Sequence, residues 1–290
     1  MDTINYQSGS GGNSIYTTIE VVAKNQPDRL RFVNDENNVS HNGKIIDDLI
    51  NKMLEYNMIG YKLRMTNKLN PNDDTCSVYS CTSGFNQPEL KPYLKIFNTG
   101  CIQEKKLILD TLNHDTDPER RAAASFLIGH FTDPQEIISV LSQHINDKNT
   151  HVRNNVMRVL WETMRKTHIT KIDVRPVIEL LDSPYDTDRN KALCVLLAAS
   201  ESKAARQFII QKGKNKLLSL LRLKQLNNHE EAYFLLKKIS GKDYGENNIE
   251  AWEHWASQQG KTMPPRASST IRPLTSSCKN KNKHHIPLFV

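Results

Sequence analysis

Asn154, Arg158, Trp161 and Arg165 follow one another at i, i+4, i+7 and i+11, so on a helix they share one stripe. An indole with a guanidinium one turn to either side can receive an aromatic ring, a peptide or an anion by stacking and charge. The bland reading is that Trp161 packs on a neighbouring helix with only an edge exposed. The opposing stripe, Val152, Val156, Val159, Leu160 and Met164, is apolar and supplies core. A second cluster runs from Lys203 to Lys224, where Lys203, Arg206, Lys212, Lys214, Lys216, Arg222 and Lys224 occur without an acidic residue. Such a run can attract phosphates or an acidic partner. Ile209, Ile210, Leu217, Leu218, Leu220 and Leu221 lie in the same stretch, so the charges read equally as the solvated face of a core helix.

Nothing in the sequence assembles a catalytic centre. The 10 histidines contain no His-Glu-x-x-His or comparable ligand spacing. There is no Gly-x-Ser-x-Gly, no Walker sequence and no Gly-rich dinucleotide loop. Neither a cofactor nor a metal is therefore expected. Cys76, Cys81, Cys101, Cys194 and Cys278 are an odd, scattered set without a Cys-x-x-Cys pair. Cys76 and Cys81 fall in a strand-like run that would point them to opposite faces, so free thiols in a reducing compartment are expected.

The elements that must position these residues change character along the chain. Residues 1–13 are polar and Gly/Ser-rich, read as a disordered lead-in. Ser14–Ala23, Arg29–Val33, Tyr61–Met65 and Thr75–Ser80 carry β-branched or alternating patterns and read as strands. Ile45, Ile46, Leu49, Ile50, Met53 and Leu54 mark an amphipathic helix over Lys44–Tyr56, with Gly60 placed to end it. Residues 14–85 are thus expected to form a small α+β domain. After Pro88 the period is helical throughout. Residues 260–290, rich in Pro, Ser, Thr and Lys, read as a disordered basic tail.

A turn-plus-helix start recurs within the helical part. Asp115 precedes Arg121 by six residues, Asp147 precedes Arg153 by six, and each Arg is followed by a small or apolar position three further on. A third copy, Asp182 to Arg189, has one extra residue, and Asn227–Ala232 is a degenerate fourth. The Arg positions step by 32 and 36 residues, in the range of helical-hairpin repeats.

This pattern resembles the HEAT repeat, including the short bacterial form named after phycobilisome-lyase proteins. The resemblance implies outer helices near 103–113, 134–145, 173–181 and 214–223, and inner helices near 118–131, 149–165, 186–199 and 228–239. It also implies that Asp115, Arg121, Asp147, Arg153, Asp182 and Arg189 are structural, each Arg linking the turn of one repeat to the next. Trp252 and Trp255 would belong to a capping helix. The iron site of HEAT-like deoxyhypusine hydroxylases is not carried over, because only His229-Glu230 echoes its His-Glu pairs.

The expected fold is mainly α: a HEAT-type α-solenoid of about four hairpins plus a capping helix over residues 86–259, with the small N-terminal α+β domain. The expected function is a non-catalytic protein-interaction scaffold whose partner is another protein held at Asn154, Arg158, Trp161 and Arg165. The alternative is a nucleic-acid-associated protein gripping phosphates through Lys203, Arg206, Lys212, Lys214, Lys216 and the tail. The net charge of +7 gives the alternative little general support. Residues 261–290 hold six Lys/Arg and no Asp/Glu, which leaves 33 basic against 32 acidic side chains in the remainder. No apolar run approaches the ~18 residues of a membrane helix. The cytoplasm is the expected location, with export lacking an N-terminal signal as the alternative.

Overall fold

The computed structural model describes residues 2–7, 13–18, 21–33, 48–69 and 76–259. The chain is mainly helical. Two compact units divide it, one within Val33–Ile172 and the other within Met1–Phe32 together with Asp173–Val290.

The Val33–Ile172 unit contains α1 (Leu49–Met65), α2 (Lys91–Gln103), α3 (Lys105–His114), α4 (Pro118–Ile128), α5 (Pro134–Ser142) and α6 (Thr150–Thr167). Helix starts follow from short polar caps. Asp48, Asp117, Asp133 and Asn149 each accept a backbone N–H from the first turn, at 2.8–2.9 Å. Pro118 and Pro134 occupy first-turn positions where a missing N–H is harmless. Helix α3 packs on α4 and α5 on α6, while α4 also lies against α1 and α6. Close approach at α4 is set by Ala122, Ala123 and Ala124, all buried. Around them Leu127, Ile137, Leu141, Val152, Val156, Met157 and Leu160 are sealed from solvent.

The other unit contains two antiparallel strands, β1 (Asp2–Gln7) and β2 (Asn13–Thr18), paired from Asp2 with Thr18 to Gln7 with Asn13. A 3-10 turn (Pro27–Phe32) follows. Helix α7 (Arg175–Glu179) runs into a second 3-10 turn (Leu180–Asp182), and α8 (Asp186–Ala199), α9 (Lys203–Leu221), α10 (Leu226–Ser240) and α11 (Ile249–Gln258) complete it. Helix α10 packs on α8 and α9, and α11 on α9. Gly241, at φ 67°, stops α10 in the left-handed region that glycine tolerates. Trp252 is fully buried on α11, its indole N–H donating to Gly245 O (2.9 Å).

Several sequence expectations are corrected. The lead-in carries strand β1. Arg29–Phe32 lies in the 3-10 turn rather than in a strand, pinned by Arg29 Nε donating to Asp182 O (2.8 Å), and Val33 is a bend. Gly60 does not end α1, and Tyr61–Met65 continues that helix instead of forming a strand. The reason is local packing: a Cβ on Gly60 would meet Ser83 Oγ at 2.2 Å, so glycine is present for closeness. The described part of Thr75–Ser80 is an irregular loop, closed by a Cys76–Cys81 disulfide with Cα atoms 5.8 Å apart. These two cysteines are not free thiols. The start of the expected Lys44 helix, Thr75 and the tail from residue 260 lie outside the described residues.

Candidate functional site

The repeated arginines are consumed by the fold in a recurring geometry. Arg121 Nη1 donates to Asp115 O (2.9 Å), Arg153 Nη1 to Asp147 O (2.8 Å) and Arg189 Nη1 to Ser183 O (2.7 Å), each six residues back. The side chain of that sixth residue closes the turn. Asp115 Oδ1 accepts Asp117 N–H, Asp147 Oδ1 accepts Asn149 N–H, and Ser183 Oγ accepts Tyr185 N–H. Ser183, not Asp182, therefore holds the third position, and the apparent extra residue disappears. Asp182 instead pairs with Lys216 (2.5 Å). Arg121 also forks onto Asp147 through Nε (3.2 Å) and Nη2 (3.0 Å), joining one turn to the next. The adjacent Arg120, not singled out in the sequence, bridges Asp48 and Asp115 at 2.8 Å each and so ties α1 to α4.

The basic run of α9 is largely engaged in the same way. Lys214 Nζ donates to Ala256 O (2.9 Å) and Gln259 O (2.8 Å), Lys216 to Ile178 O and Asp182, and Arg206 Nε to Ser200 O (3.1 Å). Lys203 and Lys212 are the two of the five that stand exposed.

On α6 the four stripe residues have unlike surroundings. Asn154 is buried and donates to Asn155 Oδ1 (3.3 Å), while Asn155 donates to Ala122 O on α4 (3.2 Å). Asn154 thus belongs to a helix joint. Trp161 is 5% exposed, with the exposed Arg165 guanidinium 5.5 Å from its ring centroid. Arg158 is 8% exposed, and its Nε is sealed from solvent with no hydrogen-bond partner. Burial pushes its pKa down, partly offset by the Glu162 carboxylate one turn on. A second guanidinium, Arg64 near the end of α1, is held down by burial and by the Arg158 charge.

A loop from Cys76 to Phe85 forms the wall beside Arg64. Arg64 Nη2 donates to Thr82 O (3.1 Å) and Ser83 Oγ (3.4 Å), Tyr56 OH donates to Gly84 O (2.8 Å), and Thr82 Oγ1 donates to Asn57 (3.0 Å). Tyr79 N–H donates to Gly129 O (3.1 Å), and Lys166 Nζ of α6 donates to the Cys76 and Val78 carbonyls. The loop is thereby fixed to α1, to the end of α4 and to α6. Beneath it Tyr56, Phe85, Tyr93, Phe97 and His130 form one aromatic cluster, ring centroids 5.2–6.4 Å apart. Arg64 escaped sequence reasoning because its segment looked like a strand. The signal was the continuing helical spacing of Met53, Tyr56, Gly60 and Leu63, all buried.

No group of three or more His, Cys, Asp or Glu among the described residues is placed to hold a metal ion. No described helix is long and apolar enough to cross a membrane. A scan against protein-family models found no match, and neither did searches of the curated proteins and of the solved structures.

Proposed function

We propose that the protein is a non-catalytic interaction scaffold built on HEAT-type helical hairpins, with the Arg64–Arg158–Trp161–Arg165 region as its contact surface. The observation that carries this reading is the repeated arginine bond: three turns, at Asp115, Asp147 and Ser183, are closed by an Arg six residues on. Repetition of one turn chemistry is what a chain of stacked hairpins requires, since each hairpin covers its apolar side only with the next. The polar residues of these turns are spent on the scaffold and not arranged around a substrate. The phosphate-gripping alternative has less to draw on, because Arg206, Lys214 and Lys216 are bonded within the fold.

The test is affinity capture with the full chain and with an Arg165→Glu/Trp161→Ala double substitution, compared after checking that both melt alike. A protein retained by the wild type and lost by the variant supports this surface. Equal retention moves the contact elsewhere, and no retained protein under any condition removes the scaffold reading.

A further inference from the structure

The loop from Cys76 to Gly84 is held from two sides. On one, Lys166 Nζ of α6 donates to Cys76 O (3.3 Å) and to Val78 O, and Tyr79 N–H donates to Gly129 O (3.1 Å) just past α4. On the other, Thr82 O accepts Arg64 Nη2 (3.1 Å), Thr82 Oγ1 donates to Asn57 Oδ1 (3.0 Å) and Gly84 O accepts Tyr56 OH (2.8 Å), all on α1. Cys76 belongs to the first set of anchors and Cys81 directly precedes the second, so the disulfide couples the α6 side of the loop to the α1 side. Both cysteines are half-buried and residues 76–81 lie in neither helix nor strand, so a small thiol can approach this segment without unfolding a helix. A disulfide that closes so short a loop removes little conformational entropy from the unfolded chain, and accessible bridges are the more readily reduced. Cys101 is the contrast. It is 2% exposed on α2, its Sγ lies 3.3 Å from Leu127 O, and burial pushes its thiol pKa up to about 12.

We propose that the Cys76–Cys81 bridge is a site of reversible thiol–disulfide exchange with small cellular thiols, a clasp that opens while the helices stay folded. A thiolate attacks one sulfur of the bridge, and the other leaves as a thiolate that takes up a proton. A second thiolate then attacks the sulfur of the first thiol in the mixed disulfide, and the remaining cysteine leaves and is protonated in turn. Two electrons thus pass to the bridge, which becomes two thiols, while two thiol molecules become one disulfide. With the clasp open, the Lys166 and Gly129 anchors and the Arg64, Asn57 and Tyr56 anchors are joined by the main chain alone. Residues 76–81 then open locally, at a far smaller cost than unfolding the unit. The loop beside Arg64 responds in this way to the redox poise of its surroundings, whether or not it contacts a partner.

The experiment equilibrates the full chain in mixtures of reduced and oxidised glutathione that span the poise of secretory and cytosolic compartments. Each mixture is quenched with N-ethylmaleimide under native conditions, and the label is read peptide by peptide by mass spectrometry. Cys76 and Cys81 are expected to rise together from below about a tenth to above about nine tenths labelled across that range. Cys101 is expected to stay unlabelled throughout, because its thiol is reached only by unfolding. Hydrogen exchange of the amides in residues 76–85 is expected to be at least about tenfold faster in the reduced chain. The Cys76→Ser/Cys81→Ser variant should show that fast exchange in every mixture. A bridge that stays oxidised across the whole range overturns the proposal and makes it a permanent crosslink. Label entering Cys101 in step with Cys76 and Cys81 also overturns it, since the bridge would then open only by global unfolding. Reduction that leaves loop exchange unchanged, or slow exchange in the double variant, overturns it as well, because the bridge would not be what holds the loop.

Discussion

His130 is buried between Phe85 and Phe97, its Nδ1 2.9 Å from Asn98 Oδ1. Burial holds its folded-state pKa at about 4, below the ordinary 6.5. As pH falls, the unfolded chain takes up this proton before the folded one, so stability is full above about pH 6.5 and is lost down to about pH 4. The loss attributable to this residue is on the order of 2–3 kcal/mol by about pH 4.5. Melting curves of the wild type and His130→Gln between pH 7 and that value should converge, because the variant lacks this proton linkage. Parallel curves would remove His130 as a contributor. Arg153 poses a different question at the same scale. It is 1% exposed and spans the Asp147 and Lys148 carbonyls, so Arg153→Met removes a buried donor from both. The expected cost is about 2–4 kcal/mol, against less than about 0.5 kcal/mol for the exposed Arg165→Met. Thermal melts of the two variants check the ratio; an unchanged Arg153→Met midpoint would count against a structural role for the repeated arginine.

Elements were legible where local chemistry and tertiary demand agreed. The HEAT resemblance put helix starts near 118, 134 and 149, and there Asp117, Asp133 and Asn149 cap α4, α5 and α6. Legibility failed where a neighbour overrode the local pattern. Gly60 resembles a terminator, but it serves the approach of Ser83 from a loop more than twenty residues on. The third turn was misregistered because Ser183 does with a hydroxyl what Asp115 and Asp147 do with a carboxylate. Arg64 escaped notice for the same long-range reason, since its partners Thr82 and Ser83 come from a distant segment. The Cys76–Cys81 bridge needed a bend that residue spacing alone does not imply. Closing so short a loop restricts the unfolded chain by about 2 kcal/mol. The Cys76→Ser/Cys81→Ser double variant should therefore melt lower by that order. A variant with an unchanged melting midpoint would make the bridge incidental.

Charge at the scale of the whole molecule decides between the two readings of function. Of the net +7, six units reside in Lys261, Arg266, Arg272, Lys279, Lys281 and Lys283, and the remaining 260 residues are nearly balanced. Within that remainder the densest basic helix described, α9, spends Lys214 and Lys216 on carbonyls and Asp182, and Arg222 just past its end pairs with Glu253. Phosphate binding by such a body releases few counterions, whereas six unopposed charges on one segment release one each. The logarithm of DNA affinity should thus fall with the logarithm of salt by about 5 more in the wild type than in a chain with those six residues changed to Gln. Salt-titrated anisotropy on random duplex DNA measures both slopes. A wild-type slope that survives the sixfold substitution would transfer the phosphate contacts to exposed lysines such as Lys203 and Lys212 and revive the nucleic-acid reading. A slope that collapses assigns the phosphate contacts to those six residues.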